Sequence, residues 1–313
     1  MHYQSNDRAR NWPEYNQNLI QRGSLMLWID ENTLKNWHQL RQNKVTGRSC
    51  AYTDQAILTS LIIKQVYRLS LRATQGLLQS LAKLLGWSID IPHYTTLCKR
   101  QKTLKLPQLN HAKHSDALIH LVIDSTGIQL FGAGEWRQEK HKTRARRTWR
   151  KLHIAVNIES QAIEAFDLSA INKHDSKGYA DMLKTIDRPI AQTIGDGAYD
   201  AFSCYEQAYE QGFEHIAPVR RGACMSHEMI NKPNMTNPQA LALRDNHIRE
   251  VRAIGMTKWK QLMGYHMRSL AETAMYRLKK LFGGKFSTRK FIHQQLEAGL
   301  WCLILNKMSA NAS

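Results

Sequence analysis

Tyr265, Arg268, Glu272 and Lys279 lie at helical spacing in the stretch YHMRSLAETAMYRLK. At about 100° per residue, Arg268, Glu272 and Lys279 fall within roughly 60° of Tyr265, so one helix would present all four from a single stripe. Met267, Leu270, Ala271, Ala274, Leu278 and Leu281 take the opposite side and suit a core. Glu272 is thereby a carboxylate in a cationic setting. Such stripes are mostly solvated faces with i,i+4 pairs, as Arg268 and Glu272 could form. Two aspartates upstream widen the possibilities. ALIHLVIDSTGIQLF sets apolar residues on both sides of Asp124, so a core strand would deliver that carboxylate near its end, although an Asp there can also simply cap a turn. IAQTIGDGAYD ends a strand in Asp196, between Gly195 and Gly197, where backbone can approach a ligand closely. Carboxylate oxygens suit hard divalent cations such as Mg²⁺.

The surrounding elements must position these groups. Residues 1 to 50 mix Trp12, Tyr15, Trp28 and Trp37 with cations; only Glu31 to Leu40 reads as helical, and a packing arm is expected. Its basic end, Arg41 to Arg48 with Lys44 and Gly47, could touch a DNA backbone. Thr53 and Asp54 cap a helix with Ile57, Leu58, Leu61, Ile62 and Val66 at apolar positions, and a second runs from Ser70 through Leu85 to a stop at Gly86. A third, rich in basic and hydrogen-bonding residues, follows Pro92. Three helices in this order suit a helix-turn-helix unit over 51–112, with the Thr95 to Lys102 helix able to enter a major groove.

From Ala117 the pattern turns to strand. KHKTRARRTWRK packs Lys140, Lys142, Arg144, Arg146, Arg147, Arg150 and Lys151 together, a block that repels itself unless solvent or a polyanion accepts it. An alternating hairpin, LHIAVNIESQAIEAFDLS, comes next. A helix over about 176–186, the strand ending at Asp196, a helix over 200–211 stopped by Gly212, and a short strand, HIAPV, follow. Residues 220–262 read as an insertion with a helix between Pro238 and Ile254. The apolar tail FIHQQLEAGLWCLILNKM reads as a closing helix, for core packing first and a dimer surface second. The expected division is an arm (1–50), a helical domain (51–112) and an α/β domain (113–313).

The formal charge is +18, distributed as +9 up to residue 120, +2 over 121–199 and +7 beyond. A polyanionic partner is favoured. Nucleic acid fits better than membrane, because no long apolar run or signal peptide occurs. Five scattered cysteines without a C-x-x-C pair suggest neither a disulfide framework nor a zinc site, and fourteen histidines form no H-E-x-x-H. Cytosolic thiols and no structural metal are expected.

Strand with Asp, hairpin, helix, strand with Asp, helix, short strand, helix with Glu is the order of an RNase H-like α/β sheet. With these residues in place, the chain resembles the DDE transposases of bacterial insertion sequences, specifically the insertion-sequence-five group in the superfamily marked by Tyr-x2-Arg-x3-Glu-x6-Lys. Tyr265, Arg268, Glu272 and Lys279 match that spacing without a gap. DST at Asp124, GDGAYD at Asp196, RRTWRKLH from Arg146 and TTLCKRQKTL from Thr95 also look like family features. The resemblance covers about residues 10 to 305.

It implies an RNase H-like catalytic domain, a mixed sheet flanked by helices, preceded by an all-α helix-turn-helix-type DNA-binding domain. Asp124, Asp196 and Glu272 would be both catalytic residues and metal ligands for two Mg²⁺ ions, with Mn²⁺ able to substitute. Asp124 would bridge both ions. Arg268 and Lys279 would hold phosphates of the element's end, with Tyr265 stacking on a base or bonding a phosphate, and Lys140 to Lys151 would track backbone. Thr95, Thr96, Lys99 and Arg100 are the candidates for sequence readout. The implied substrate is double-stranded DNA, as terminal inverted repeats and as target. The implied assembly is a homodimer in the bacterial cytoplasm, associated with the nucleoid and not with membrane. Two other functions stay open: an RNase H-like nuclease that cuts without joining, and a transposase-derived DNA-binding protein.

Overall fold

The computed structural model describes residues 11–38, 51–109, 117–130, 149–228 and 237–310. The chain divides into two compact units, Met1–Pro107 with Leu303–Ser313, and Gln108–Cys302.

The first unit contains α1 (Trp12–Gln21), α2 (Glu31–Lys35), α3 (Asp54–Val66), α4 (Leu71–Leu84) and α5 (Tyr94–Arg100). Helix α1 was not legible in the sequence: it buries none of its residues, so no core-facing stripe marks it. Trp28 and Trp37 are buried, and Trp37 Nε1 donates to the Asp90 carbonyl at 2.8 Å. Both expected caps form. Thr53 Oγ1 accepts from Ala56 N, and Ser70 Oγ from Ala73 N, each at 3.2 Å. Helix α3 is buried from Ala56 to Gln65 and packs against α4 and α5, which also touch each other. Helix α5 ends at Arg100, two residues before the expected Lys102, and Arg100 folds back onto the Asp54 carboxylate and the Tyr52 carbonyl.

The second unit is built on β1 (Ile119–Gln129), β2 (Trp149–Asn157), β3 (Ile163–Ala170), β4 (Ile190–Ile194) and β5 (Glu214–Ile216). Their order is β3-β2-β1-β4-β5, with β1, β2 and β3 antiparallel to one another in turn and β4 and β5 parallel to β1. This mixed sheet has the connectivity expected of an RNase H-like fold. Ile119, Leu121 and Ile123 alternate onto one face, where they pack with Tyr179 and Met182 of α6 (Asp175–Leu183) and Cys204 and Ala208 of α7 (Phe202–Gln211). Helix α10 (Ser269–Phe282) packs on β1 and β2 through its buried Ala271, Ala274, Met275 and Leu278.

The 220–262 segment contributes α8 (Pro238–Ile254), as expected, and α9 (Met256–Leu262). Helix α8 lies on α7, and α9 on α8, with Trp259 fully buried. The closing helix α11 (Phe291–Ala310) begins in this unit, and its residues from Leu303 group with the first. Its buried Glu297 accepts four hydrogen bonds from the backbone and hydroxyls of Ser287 and Thr288, at 2.7 to 3.2 Å, fixing the turn after α10. Trp301 stacks on Phe282 and Phe286.

Candidate active site

Two strand registers place the aspartates. The β1–β4 parallel ladder closes with Val122 opposite Ile194, and Asp124 and Asp196 each lie two residues further on. Side by side at the carboxyl end of that ladder, they occupy the position where open α/β sheets receive ligands. Asp124 nevertheless sits in mid-strand, not near a strand end as expected from the sequence. Its other neighbour, β2, pairs with β1 from Leu121↔Asn157 through Gln129↔Trp149, and this ladder carries β1 past the DST motif. Strand β4 stops at Ile194, leaving Asp196 in a turn whose Ala198 N donates to Asp196 Oδ1 at 2.8 Å.

The helix stripe is also modified. Tyr265–Arg268 form a 3₁₀ turn after Gly264, whose φ is +62°, and α10 begins only at Ser269. Three residues per turn superimpose Tyr265 and Arg268, and the guanidinium carbon lies 5.9 Å from the Tyr265 ring centroid. From there Arg268 reaches two carboxylates: Nη1 is 3.5 Å from Asp124 Oδ2, and Nη2 bonds Glu272 Oε1. Lys279 stands on the exposed side of α10, seven residues past Glu272.

Electrostatics join the three acids. Burial pushes the Asp124 carboxyl above its ordinary value; the Ser125 N–H and Arg268 oppose this, and the negative charges of Asp196 and Glu272 add to it. Burial works against the charge of Arg268, but Tyr265, Asp124, Glu272 and Asp196 raise its pKa on balance. Negative charge therefore gathers at Asp124, with one guanidinium against it. Oxygen donors in excess negative potential fit a hard divalent cation. Among the described residues no three His, Cys, Asp or Glu side chains converge closely enough to hold one as they stand. Asp124 and Glu272 are turned to Arg268 instead.

The other candidates are placed as follows. Lys140, Lys142, Arg144, Arg146 and Arg147 lie outside the described residues, as do Arg41, Lys44, Gly47 and Arg48. Arg150 Nε donates to Gln294 Oε1 at 3.2 Å and its guanidinium covers the Phe291 ring, while Lys151 Nζ is 2.7 Å from Asp175 Oδ2. Both are engaged within the fold. In the first unit, Thr95 and Lys99 are exposed on α5 and Thr96 is half-buried; Thr95 Oγ1 pairs with His93 Nδ1 at 2.8 Å, and Arg100 is held by Asp54.

Two groups escaped the sequence reading. Ser125, Lys151, His153, Asp175 and Tyr199 form a cluster on the sheet face opposite Asp124, to which only strand alternation gave a clue. Asp200, the second acid of GDGAYD, is buried and paired with Arg244.

Two aspartates just past the β1–β4 ladder of an RNase H-like sheet, with a glutamate on the covering helix, form an arrangement suited to phosphoryl transfer. The family can be stated directly. Residues 116–307 match the family model described as Transposase DDE domain, a second model of that description matches residues 20–133, and the chain belongs to this family of DNA transposases. It is also similar to a solved structure, the Drosophila P element transposase strand transfer complex, at 9% identity over 93% of this chain and 85% of that one with a TM-score of 0.33, too distant a likeness to bear on mechanism. Members of the DDE family depend on divalent metal. Among the described residues no helix is long and apolar enough to cross a membrane.

Proposed function

We propose that Asp124, Asp196 and Glu272 are the catalytic carboxylates of an insertion-sequence transposase of the insertion-sequence-five group. They would hold two Mg²⁺ ions, or Mn²⁺ in their place. The observation that carries this reading is the register of β1 and β4 together with Arg268, which puts Asp196 beside Asp124 and ties Asp124 to Glu272. Bound metal would supply charge stabilisation at the attacking and leaving oxygens of the phosphodiester. The chain's own residues do the rest. The carboxylates would hold the metal, while Tyr265, Arg268 and Lys279 grip the strand beside it. Water attacks phosphorus at the element's end and displaces the 3′ oxygen, which leaves as a 3′-OH. That hydroxyl then attacks a target phosphodiester, joining the element and freeing a target 3′-OH.

The partner is double-stranded DNA, as terminal inverted repeats and target, held by a homodimer in the bacterial nucleoid. Residues 51–112 would read the repeats through Thr95, Thr96 and Lys99. Arg100, being paired with Asp54, would need to exchange that carboxylate for DNA. Of the expected catalytic domain, 113–313, residues 113–302 fall in the second unit and 303–313 group with the first; 220–262 would be an insertion, and Lys140 to Arg147 would add backbone affinity that falls with salt. The test is a labelled element-end duplex incubated with protein and Mg²⁺, Mn²⁺ or EDTA. Metal-dependent cleavage and joining, lost in Asp124→Asn, Asp196→Asn and Glu272→Gln with DNA binding retained, is the expected result. Cleavage without joining to a target plasmid would indicate a nuclease, and full activity in any of the three variants would overturn the assignment.

A further inference from the structure

The β1–β4 ladder ends at Val122 and Ile194, so no ladder hydrogen bond ties the chain at Asp124 to the chain at Asp196. Two carboxylates that share a cation need a fixed separation, because coordination distances tolerate only tenths of an ångström. Something else must hold the two segments together.

The cluster on the far face of the sheet spans them. Ser125 N donates to Asp124 Oδ1 at 2.8 Å, and Ser125 Oγ donates to Asp175 Oδ1, also at 2.8 Å. Both hydrogen-bond donors of the residue next to Asp124 are thereby committed. Asp175 Oδ2 takes Lys151 Nζ at 2.7 Å, which pins β2 to the same carboxylate. His153 Nδ1 lies 3.7 Å from Asp175 Oδ1 and 3.5 Å from the Tyr199 hydroxyl. Tyr199 belongs to the Asp196 turn: its N–H donates to the Asp196 carbonyl at 2.9 Å, and its ring packs so closely on Gly195 that a Cβ there would lie 2.8 Å from it. Gly178 of α6 closes the other side, since a Cβ at that position would stand 2.6 Å from the His153 ring.

We infer that Asp175 is a positioning residue for the metal-binding aspartates: it holds β1 at Ser125 and β2 at Lys151 by hydrogen bonds, and the His153 ring packs between its carboxylate and Tyr199 of the turn that carries Asp196. It touches neither substrate nor metal. Burial works against its charge, but hydrogen bonds from Lys151 and Ser125 keep its pKa below the ordinary value, so it acts as a carboxylate. The inference rests on the proposed roles of Asp124 and Asp196.

The test measures Mn²⁺ binding to the DNA-free full chain by titration calorimetry, beside thermal unfolding in EDTA. Wild type, Asp124→Asn, Asp175→Ala and Asp175→Ala/Lys151→Met are compared. The double variant removes the uncompensated Lys151 charge, so fold stability recovers relative to Asp175→Ala. Loss of a supporting residue weakens metal affinity by roughly 10- to 100-fold, and that weakening is expected in both Asp175 variants, including the restabilised one. Mn²⁺ affinity that returns to the wild-type value in the double variant would overturn the positioning role while leaving the site intact. Wild-type binding insensitive to Asp124→Asn would overturn the site assignment itself.

Discussion

Arg244 grips Asp200 with two nitrogens, Nε 2.7 Å from Oδ1 and Nη2 3.0 Å from Oδ2, and both side chains are almost wholly withdrawn from solvent. Asp200 Oδ2 also accepts from Arg220 N at 3.3 Å, and Arg244 Nη1 donates to the Cys224 carbonyl at 3.3 Å. The pair therefore fastens α8 to the segment just before α7, four residues after Asp196. This makes Arg220 and Arg244 part of the support of the turn that carries Asp196.

Removing one partner of such a pair strands a buried charge. Arg244→Met should cost about 3–5 kcal/mol of unfolding free energy in urea. Adding Asp200→Asn should return a large part of it. A single variant as stable as wild type would show that the pair carries no such role.

Arg268 supplies positive charge at Asp124 and Glu272. Its guanidinium is partly exposed, so solvent screening limits its contribution, and Arg268→Gln should lower stability in EDTA by no more than about 1 kcal/mol. Under the metal role proposed for Asp124 and Glu272, added Mg²⁺ should raise the thermal midpoint more in this variant than in wild type, because it would no longer compete with a guanidinium. The sign with pH follows from Asp124. Its pKa is raised in the folded chain, so the folded site takes up a proton first as pH falls, and the deficit in EDTA should shrink as acid neutralises that carboxyl. A deficit that grows with acidity would contradict this account.

His153 and His215 are buried, and burial lowers each from 6.5 to about 4. The unfolded chain binds these protons below pH 6.5 and the folded chain does not, so stability should fall from pH 6.5 towards 4 and the loss should then level off. Each contributes up to about 1.4 kcal/mol per pH unit in the steep region. His215 holds Thr193, Tyr179 and the Tyr199 carbonyl together. His215→Gln should reduce overall stability yet flatten the acid limb in urea titrations. An unchanged slope would remove His215 from the cause.

Much of this molecule was legible one element at a time. The caps at Thr53 and Ser70, the Pro238–Ile254 helix and the left-handed stop at Gly212 depend on residues within a turn of each other, and all are found. Strand alternation and the order of elements gave the sheet, and the spacing of Tyr265, Arg268, Glu272 and Lys279 marked the covering helix. Helix α1 stayed hidden because it buries nothing, and the 3₁₀ entry to α10 because i, i+3 and i, i+4 patterns look alike over one turn.

The tertiary structure decided the rest. Which face a strand residue takes follows from alternation. Which residue it meets there follows from register, a property of two distant segments pairing. Register alone sets Asp124 beside Asp196 and brings Ser125 opposite His153. Whether a charge is free or spent depends likewise on long-range partners: Arg268 on Asp124, Lys151 on Asp175, Arg244 on Asp200. The sequence by itself determined the kinds of groups at the site and the elements that carry them. Only packing determined their separations, because burial makes an unpaired charge costly and so selects the arrangement in which each finds its counterpart.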